Sequence, residues 1–222
     1  MDKRSFKITA DGSHTLYVEK LDETYHSTHG AIQEAKHVFI NAGLNYIEKN
    51  ELNILEVGFG TGLNAFLTLL EAEKKGLKIN YTGIEAFPLD EEVIQQLNYK
   101  EELRSTVKEE GRYNLLHSVE WESEQKITEP FQLHKIKIEL ATYTPKEHFD
   151  IIYFDAFGPR VQPDMWTEAI FEKMYNCLTK NGILVTYCAK GSVKRGLKTV
   201  GFELESLPGP PGKREMTRAI KL

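Results

Sequence analysis

The chain has 222 residues, of which 41% are hydrophobic and 27% are charged, and its formal net charge is −5. These values fit one α/β domain with an extension, argue against a disordered chain, and argue against a protein that coats nucleic acid indiscriminately. No apolar run is long enough to span a bilayer, and the N-terminus has no apolar stretch of the kind that a secretory signal carries. Cys177 and Cys188 lie in apolar patterns, which predicts reduced core thiols. We therefore expect a cytoplasmic protein with no membrane partner.

The first fifty residues predict a helical extension. The stretch AIQEAKHVFINAGL (residues 31–44) has the character of a helix rather than a strand. We expect residues 1–50 to form an extension that caps the sheet or its pocket, and residues 51–222 to form the main domain.

A strand, a glycine turn, a helix and a second strand follow in order. Residues 52–57 (LNILEV) are a short apolar run bounded by glycines, as in a strand that is buried on both faces. The stretch LNAFLTLLEAEKKG (residues 63–76) has one apolar helical face and ends at a glycine. Residues 80–85 (NYTGIE) predict the next strand, and the acidic run from Asp90 begins another helix.

The alternation continues in the second half of the chain. We expect strands at residues 149–155, 182–188, 202–207 and 215–220, and helices at residues 165–178 and near 192–200. The last two strands are joined by the tight loop LPGPPGK rather than by a helix, so they must run antiparallel. Between residues 97 and 141 the pattern is weak: residues 133–140 (LHKIKIEL) alternate as a strand does, and residues 117–124 are a loop or a short edge strand.

Strands that alternate with helices and end in an antiparallel hairpin predict a doubly wound α/β sheet. This order resembles the Rossmann-like class I S-adenosylmethionine-dependent methyltransferases. The resemblance implies a mostly parallel sheet with an antiparallel last strand, here preceded by the helical N-terminal extension.

The glycine turn after the first predicted strand of the sheet is the first candidate binding element. Glu56, Gly58, Gly60 and Gly62 form an E-x-G-x-G-x-G sequence that opens a helix, so backbone N–H groups point into the crevice at the edge of the sheet. A dinucleotide fingerprint would need glycine at the position of Leu63, and no phosphate-binding loop of the G-x-x-x-x-G-K-[ST] type occurs. The turn resembles the first motif of the methyltransferases, although a glycine turn also occurs without a ligand.

Glu85 ends the next strand and is the expected companion of the glycine turn. A carboxylate at this position can accept hydrogen bonds from both ribose hydroxyls of a nucleoside cofactor. Methyltransferases of this class usually place an acid after the third strand to contact adenine. Here the sequence ELATY offers Thr142 and Tyr143, which leaves the recognition of adenine open.

Asp155 is the candidate catalytic carboxylate. It ends a buried apolar strand, and the sequence that follows, DAFGPRVQPDMW, has two prolines and a glycine that make the loop stiff. Methyl transfer from a sulfonium to an amine requires alignment of donor and nucleophile and loss of a proton from the amine, and a carboxylate at this edge can serve both needs. A capping role is the alternative for Asp155, and for Asp164 an N-cap is the favoured role.

Four blocks of sequence resemble one family closely. They are YHSTHGAIQEAKHVF, ILEVGFGTGLN, DAFGPRVQPDMW and PGPPGKREMTRA, and they span nearly the whole chain in order. They are similar to the methyltransferase domain of the bacterial tRNA 5-methylaminomethyl-2-thiouridine biosynthesis enzymes (MnmC). The resemblance implies methylation of 5-aminomethyl(-2-thio)uridine at the tRNA wobble position, with Asp155 at the place of the family's aspartate. Many members carry a fused FAD-dependent oxidase; we expect a stand-alone form here, without FAD.

The resemblance also implies the site residues. The cofactor site would include Glu56, Gly58, Gly60, Gly62, Asn64 and Glu85, beside the catalytic Asp155. Tyr25, His26 and Ser27 are candidates for lining the amine or uracil pocket, where an aromatic ring can stack on a base. Lys213 and Arg214 are candidates for contacting tRNA phosphates or the flipped nucleotide. A core tyrosine and a solvated turn are the plainer alternatives.

The resemblance implies tRNA, at its anticodon stem-loop, as the partner, and the distribution of charge agrees with a polyanionic partner. Residues 187–222 contain eight Lys and Arg side chains against three Glu, whereas Glu85, Asp90, Glu91, Glu92, Glu101 and Glu102 crowd a mid-chain stretch. Ordinary solvated surface explains such a skew equally well. The sequence leaves the oligomeric state open.

Neither a metal site nor a tryptophan platform is expected. His26 and His29 have no further ligands at suitable spacing, so we expect no metal. Trp121 and Trp166 are more typical of core packing than of base stacking.

Three other functions remain open. An aminopropyltransferase of the spermidine synthase type shares the fold and the attack of an amine on a sulfonium, but usually has an acid inside the glycine turn, where this chain has Phe59 and Thr61. A small-molecule amine methyltransferase is the second. The third is a module that binds S-adenosylmethionine or tRNA without catalysis.

Overall fold

Strands and helices alternate along the chain, as the sequence predicts. The computed structural model describes residues 3–145 and 147–222. Its strands are β1 (Arg4–Ile8), β2 (His14–Val18), β3 (Glu23–Thr24), β4 (Glu51–Val57), β5 (Lys78–Glu85), β6 (Glu124–Thr128), β7 (Phe131–Lys137), β8 (Phe149–Phe154), β9 (Leu178–Thr186), β10 (Glu203–Pro208) and β11 (Glu215–Ile220). Its α-helices are α1 (Ala31–Ala35), α2 (Leu63–Lys75), α3 (Glu91–Gln95), α4 (Tyr99–Glu102), α5 (Val107–Ser118), α6 (Glu168–Cys177) and α7 (Gly191–Thr199). A π-helical segment, Lys36–Asn41, continues α1, and single 3₁₀ turns cover Glu19–Leu21, Leu44–Tyr46 and Pro163–Trp166.

The main sheet has the strand order β10–β11–β9–β8–β4–β5–β7–β6. Strands β7, β5, β4, β8 and β9 are parallel to one another. Strand β11 runs antiparallel between β9 and β10, and β6 is an antiparallel edge strand beside β7. The predicted α/β fold with a mostly parallel sheet and an antiparallel last strand is therefore confirmed.

Helices cover both faces of this sheet, which explains the continuous apolar runs of its central strands. All six residues of β8 are buried. One core cluster joins a face of the sheet to α2, α5 and the N-terminal helices, and a second joins the opposite face to α6 and α7. Cys177 and Cys188 are buried in the second cluster as free thiols, as predicted. Among the helices of the described residues, none has the length and apolar character needed to cross a membrane.

The strand order places a crevice beside β4. Strand β4 pairs with β5 on one side and with β8 on the other, so the chain moves outward from β4 in both directions. In such sheets the connections leave the carboxyl ends of the two neighbouring strands on opposite faces, and a ligand site opens between them. The glycine turn after β4 and Asp155 after β8 meet at this point.

The N-terminal extension is only partly helical, which corrects the prediction for residues 4–24. These residues form a three-stranded antiparallel sheet, β1–β2–β3, and apart from two single 3₁₀ turns the helical part of the extension is α1 with the π-helical segment after it. The tight connection between β1 and β2 explains the strands: Asp11 accepts hydrogen bonds from the Thr9 hydroxyl and from the backbone N–H of Ser13. This side-chain turn favours a hairpin over a helix.

The region that the sequence left open contains α4, α5, β6 and β7. Helix α5 begins at a capping box formed by Thr106 and Glu109, but only Tyr113 and Leu116 of its residues are buried. So few buried positions make a weak apolar pattern, which is why the helix is hard to predict. The predicted strand at 133–140 corresponds to β7, and the edge strand is β6 at Glu124–Thr128 rather than residues 117–124.

The favoured role of Asp164 as an N-cap is wrong. Asp164 lies inside the 3₁₀ turn Pro163–Trp166, and α6 begins only at Glu168. The Thr167 side chain accepts the hydrogen bond from the backbone N–H of Ile170 and so caps the helix. Trp166 is buried, as expected, and its indole N–H donates to the carbonyl oxygen of Phe157.

Candidate active site

A cleft of about 930 Å³ opens at the carboxyl ends of β4, β5 and β8. One wall consists of the glycine turn and the residues that follow β5 and β7. The opposite wall consists of the N-terminal sheet and the loop after β8. Predicted site residues that line the cleft are Tyr25, His26, Gly58, Gly60, Asn64, Glu85 and Asp155.

The glycine turn is held against the ends of both neighbouring strands. The backbone N–H groups of Gly58 and Phe59 donate to the carbonyl oxygen of Ile84, at the end of β5. Gly58 has a φ of +90°, and a Cβ atom there would lie 2.9 Å from the carbonyl oxygen of Asp155. Glycine at position 58 thus satisfies a left-handed backbone and a close approach to β8 at the same time.

Glu85 organises the turn from the end of β5. One carboxylate oxygen accepts the backbone N–H of Gly60 at 3.1 Å, and the other accepts the backbone N–H of Phe87 at 2.9 Å. Each carboxylate oxygen has two lone pairs, so capacity remains for the hydroxyls of a nucleoside ribose. Phe87, which lines the same part of the cleft, is 66% exposed and offers an apolar face beside it.

Asn64 bridges two acids at the bottom of the cleft. Its Nδ2 donates to Glu56 Oε1 and to Asp155 Oδ2, each at 2.9 Å. Glu56 does not line the cleft; it is buried behind Asn64. Asn64 Oδ1 and Glu56 Oε2 are buried and receive no hydrogen bond from any residue that the structure describes. Two acceptors are thus unsatisfied at this place, which is unusual for buried polar atoms.

The electrostatics of the two acids follow from burial. Burial raises the pKa of Asp155 to about 7, the charge of Glu34 adds to the rise, and the Asn64 hydrogen bond and the charge of Lys213 oppose it. Burial also raises the pKa of Glu56 well above its usual range, against the hydrogen bond from Asn64. Asp155 is therefore a carboxyl group that exchanges its proton near neutral pH, as suits a general base.

The sequence leaves the recognition of adenine open, and the structure shows which residues after β7 lie at the cleft. Thr142 and Tyr143 do not line the cleft: Thr142 is exposed and Tyr143 is buried in the second core cluster. The carbonyl oxygen of Glu139 accepts the backbone N–H groups of both residues, so the chain turns away from the cleft at this point. The lining residues after β7 are instead Ile138, Glu139, Leu140 and Ala141.

Tyr25 and His26 lie on the wall opposite the strand ends. The Tyr25 ring is 3.3 Å from where a Cβ of Gly60 would be, and it makes an edge contact with Phe157 at a centroid distance of 5.1 Å. Burial lowers the pKa of His26 to about 4, so its ring is neutral. His26 Nδ1 is buried and has no hydrogen-bond partner among residues 3–145 and 147–222.

Four other predicted residues lie apart from the lining. Gly62 caps α2, packed against the ring of His117. Ser27 donates its backbone N–H to Glu34 Oε2 at 2.8 Å, and Lys213 forms an ion pair with Glu34 Oε1. Arg214, by contrast, is exposed.

The loop that carries Asp155 is anchored on both sides. Arg160 donates to the carbonyl oxygen of Asp22 at 3.2 Å and to Glu23 Oε2 at 3.1 Å, and so ties the loop to the N-terminal sheet. The Tyr187 hydroxyl donates to the carbonyl oxygen of Ala156 at 2.9 Å. These contacts hold Asp155 between the two walls.

Sequence reasoning missed Glu34, Glu139, Arg160 and Tyr187. Glu34 and Arg160 lie inside two of the blocks on which the resemblance rests, so attention to charged residues within those blocks could have found them. Tyr187 directly follows β9, at the sheet edge where ligand sites form, and that position is a usable signal.

No group of three or more His, Cys, Asp and Glu side chains is arranged to hold a metal ion in the described ranges.

Comparison with known families shows which reaction this site catalyses. The sequence profile of a family described as S-adenosyl-L-methionine-dependent methyltransferases (Methyltransf_30) matches residues 101–222, which is more than half of the chain. The chain belongs to this family. It is an enzyme that uses S-adenosylmethionine as its methyl donor.

Similar proteins support the same family across nearly the whole chain. A curated protein of Leptospira interrogans serogroup Icterohaemorrhagiae serovar copenhageni, named tRNA 5-methylaminomethyl-2-thiouridine biosynthesis bifunctional protein MnmC, is 32% identical over 94% of this methyltransferase. A protein of the same name from Ralstonia nicotianae is 28% identical over 96% of it. The chain spans about a third of the length of these relatives, 34% in both cases.

The crystal structure of MNMC2 from Aquifex aeolicus is similar to this methyltransferase with a TM-score of 0.79 and 26% sequence identity. The match covers 99% of this chain and 70% of that one. Spermidine synthase in complex with a transition-state analogue matches with a TM-score of 0.52 and 16% identity over 99% of this chain and 72% of that one, which is a likeness of fold alone.

The side chains present fit S-adenosylmethionine. That molecule carries a ribose diol, an ammonium group and a sulfonium, which call for hydrogen-bond acceptors and negative charge. Glu85 offers a carboxylate at the glycine turn, and Asn64 Oδ1 is a buried acceptor without a donor in the part of the chain described. Gly58 leaves no room for a Cβ beside the carbonyl oxygen of Asp155, so the glycine turn and the end of β8 lie close together at the cleft, where such turns hold a nucleoside.

Proposed function

We propose that this methyltransferase acts on tRNA and converts 5-aminomethyl(-2-thio)uridine at the wobble position to 5-methylaminomethyl(-2-thio)uridine. The observation that carries the proposal is the position of Asp155. Asp155 contacts the wall formed by the glycine turn and the residues after β5 and β7, which we call the cofactor wall, through Asn64 and Gly58. Its loop is tied to the N-terminal sheet by Arg160. A proton acceptor at the meeting point of two walls suits an amine acceptor that must be aligned with a methyl donor.

The similar proteins support this choice of acceptor. Two of them carry a name that refers to 5-methylaminomethyl-2-thiouridine in tRNA, and their likeness covers 94–96% of the chain at 28–32% identity. Three of the four sequence blocks that define the resemblance also supply residues that line the cleft: Tyr25, Gly58 and Asp155 belong one to each.

The chemistry that this chain performs centres on one proton. When bound, S-adenosylmethionine supplies an electrophilic methyl group on a sulfonium and leaves as a neutral thioether. Asp155 accepts a hydrogen bond from the acceptor amine and so directs the lone pair of the amine nitrogen toward the methyl carbon. Asp155 also takes the proton that the nitrogen sheds. With S-adenosylmethionine bound, the amine nitrogen would gain the methyl group that the sulfonium loses, and the proton would leave through the Asp155 carboxyl group to solvent.

Asn64 and Glu56 hold the base in place. Asn64 occupies Oδ2 of Asp155, which leaves Oδ1 as the oxygen for the amine. Glu56 fixes the amide of Asn64 from behind, in a position buried from solvent. A base whose orientation is set by a second hydrogen-bonded group loses less entropy when substrate binds.

The opposite wall, formed by the N-terminal sheet and the loop after β8, suits a flat pyrimidine, and we call it the acceptor wall. Tyr25 and Phe157 present two rings in edge contact beside Asp155, and an aromatic ring stacks on a splayed-out base. The neutral ring of His26 is an adaptable donor or acceptor for a base edge. Arg214, exposed on the connection between β10 and β11, is available to a phosphate of the anticodon stem-loop. We place this activity in the cytoplasm, where tRNA is modified.

A direct experiment identifies the acceptor. The purified protein is incubated with labelled S-adenosylmethionine and tRNA from a strain that lacks this activity, and the digested RNA is analysed by mass. Label in a methylaminomethyl-uridine is the expected result. Absence of label from RNA, with cofactor binding intact, would contradict the proposal; label in a small amine or transfer of an aminopropyl group would replace it.

A further inference from the structure

An ion pair between a buried acid and a half-buried lysine, outside the cleft, links two distant parts of the chain. Glu34, on α1, is 6% exposed, and its Oε1 pairs with the Nζ of Lys213, on the connection between β10 and β11. Its Oε2 accepts the backbone N–H of Ser27 at 2.8 Å, so both carboxylate oxygens of Glu34 are occupied. Glu34 is therefore fixed in position, whereas the side chain of Lys213 is 31% exposed.

The pair adjoins the loop of the catalytic carboxylate. The Nζ of Lys213 lies 3.9 Å from the centroid of the Tyr187 ring, as in a cation–π contact. The Tyr187 hydroxyl donates to the carbonyl oxygen of Ala156, the residue after Asp155. A chain of contacts thus runs from Glu34 through Lys213 and Tyr187 to the backbone beside the base.

We propose that Glu34 and Lys213 are positioning residues for methyl transfer, which act by fixing the balance of charge that Asp155 experiences when the acceptor amine binds. This inference rests on the proposed function, because it concerns an amine acceptor at Asp155. It also gives Lys213 a different role from a direct contact with tRNA phosphates.

Groups that are charged, titratable or hydrogen-bonded to Asp155 act on it from several elements. They are Asn64 of α2 by hydrogen bond, Glu56 of β4, Tyr81 of β5, Glu34 of α1, Tyr99 of α4, Tyr187 after β9 and Lys213 between β10 and β11. Of these, Glu34 raises the pKa of Asp155 and Lys213 lowers it, while burial contributes the largest rise. The tyrosines stay neutral because burial raises their pKa values, and burial also raises the pKa of Glu56 well above its usual range.

Because Glu34 and Lys213 carry opposite charges, their removal should shift the pKa of Asp155 in opposite directions. Removal of the Glu34 charge leaves the Lys213 charge acting alone on Asp155, so the pKa of Asp155 falls. Removal of the Lys213 charge leaves an unpaired acid beside the base, so the pKa of Asp155 rises. A role limited to packing has no reason to produce shifts of opposite sign.

The test is the pH profile of single-turnover methyl transfer to undermodified tRNA. We expect E34Q to move the acid limb to lower pH and K213M to move it to higher pH, each by roughly half a pH unit or more, with the double variant E34Q/K213M in between. Gln at position 34 keeps an oxygen for the Ser27 N–H. The matched control is E215Q, which removes an acid from the Lys194–Glu215 pair next to the same hairpin and should leave the limb unmoved.

Thermal unfolding and S-adenosylmethionine affinity are measured on the same samples. If K213M fails to fold because it leaves a buried acid unpaired, E34Q and the double variant still test the sign. Shifts of the same sign, or no shift in E34Q, would overturn the inference. If the wild-type protein does not methylate tRNA, the proposed function fails instead, and the two failures are distinguishable.

Discussion

The two walls of the cleft are built in different ways. The cofactor wall consists of strand ends and a glycine turn, and its contacts are mostly backbone hydrogen bonds between neighbours in a parallel sheet. The acceptor wall consists of a small antiparallel sheet that side chains attach to the rest: His14 and Asn98 on one side, Arg160 and Glu23 on the other. The cofactor wall is therefore the rigid part, and the acceptor wall is the part that side-chain changes can alter.

Asp155 belongs to both walls, so its replacement should have the largest effect. We expect Asp155→Asn to lower the rate of methyl transfer by about 10²- to 10⁴-fold, the usual contribution of a general base. Cofactor affinity should change little, because the Asn64 amide can still donate to the new side chain. Calorimetry and a methyl-transfer assay on the same preparation measure both quantities. A rate close to that of the wild type would exclude Asp155 as the base.

The cofactor wall can be broken at Gly58. A Cβ at this position meets the Asp155 carbonyl oxygen at 2.9 Å, so we expect Gly58→Ala to weaken S-adenosylmethionine binding by roughly tenfold or more. The matched control is Gly76→Ala. Gly76 has a φ of +70° but nothing within 4 Å, so it should cost about 1 kcal/mol of stability and leave cofactor affinity intact. Equal loss of affinity in both variants would contradict the assigned close approach.

The acceptor wall can be loosened at Arg160 without touching the cofactor wall. Arg160→Ala removes the contacts to Asp22 and Glu23, and we expect the KM for tRNA to rise roughly three- to tenfold with unchanged cofactor affinity. The exposed pair makes the expected stability loss small, under about 1 kcal/mol. Lys3→Ala removes another exposed cation near this sheet, paired with Glu19, as the control. A fall in cofactor affinity with unchanged KM would show that the walls are not separable.

A further expected effect concerns stability and pH. The pKa of Asp155 is raised from 3.8 to about 7 in the folded protein, so its contribution to stability is present at low pH and is lost as pH rises through 7. Asp155→Asn should therefore unfold at higher urea concentration than the wild type at pH 8, by a few kcal/mol at most, and the advantage should vanish toward pH 4. Urea titrations at both pH values measure this. An advantage that is the same at both would mean that the carboxyl group does not titrate as assigned.

The two walls also differ in how far the sequence predicts them. The positions of Gly58, Glu85 and Asp155 follow from local patterns, because each directly follows or ends a predicted strand and parallel strands share one edge. The acceptor wall depends on contacts between residues far apart in the chain. Arg160 and Glu23 are 137 residues apart, and Lys213 and Glu34 are 179 apart. No periodicity or motif reports such pairs.

Short elements are the second limit of prediction. Strand β1 has no buried residue, and β3 has only two residues, so neither has an apolar alternation that distinguishes it from the helix expected there. The course of the chain after β7 is hard to predict for a related reason, since the turn at Glu139 is made by backbone hydrogen bonds and carries no glycine or proline signal.

The central claim is that Asp155 is the proton acceptor at the place where the walls meet. The most direct measurement is the rate of single-turnover methyl transfer between pH 5.5 and 9, with the protein saturated with labelled S-adenosylmethionine and mixed with undermodified tRNA. The rate should rise with unit slope through a limb near pH 7, and the residual rate of Asp155→Asn should lack this limb. A wild-type rate that does not depend on pH across this range, or the same limb in the variant, would contradict the claim.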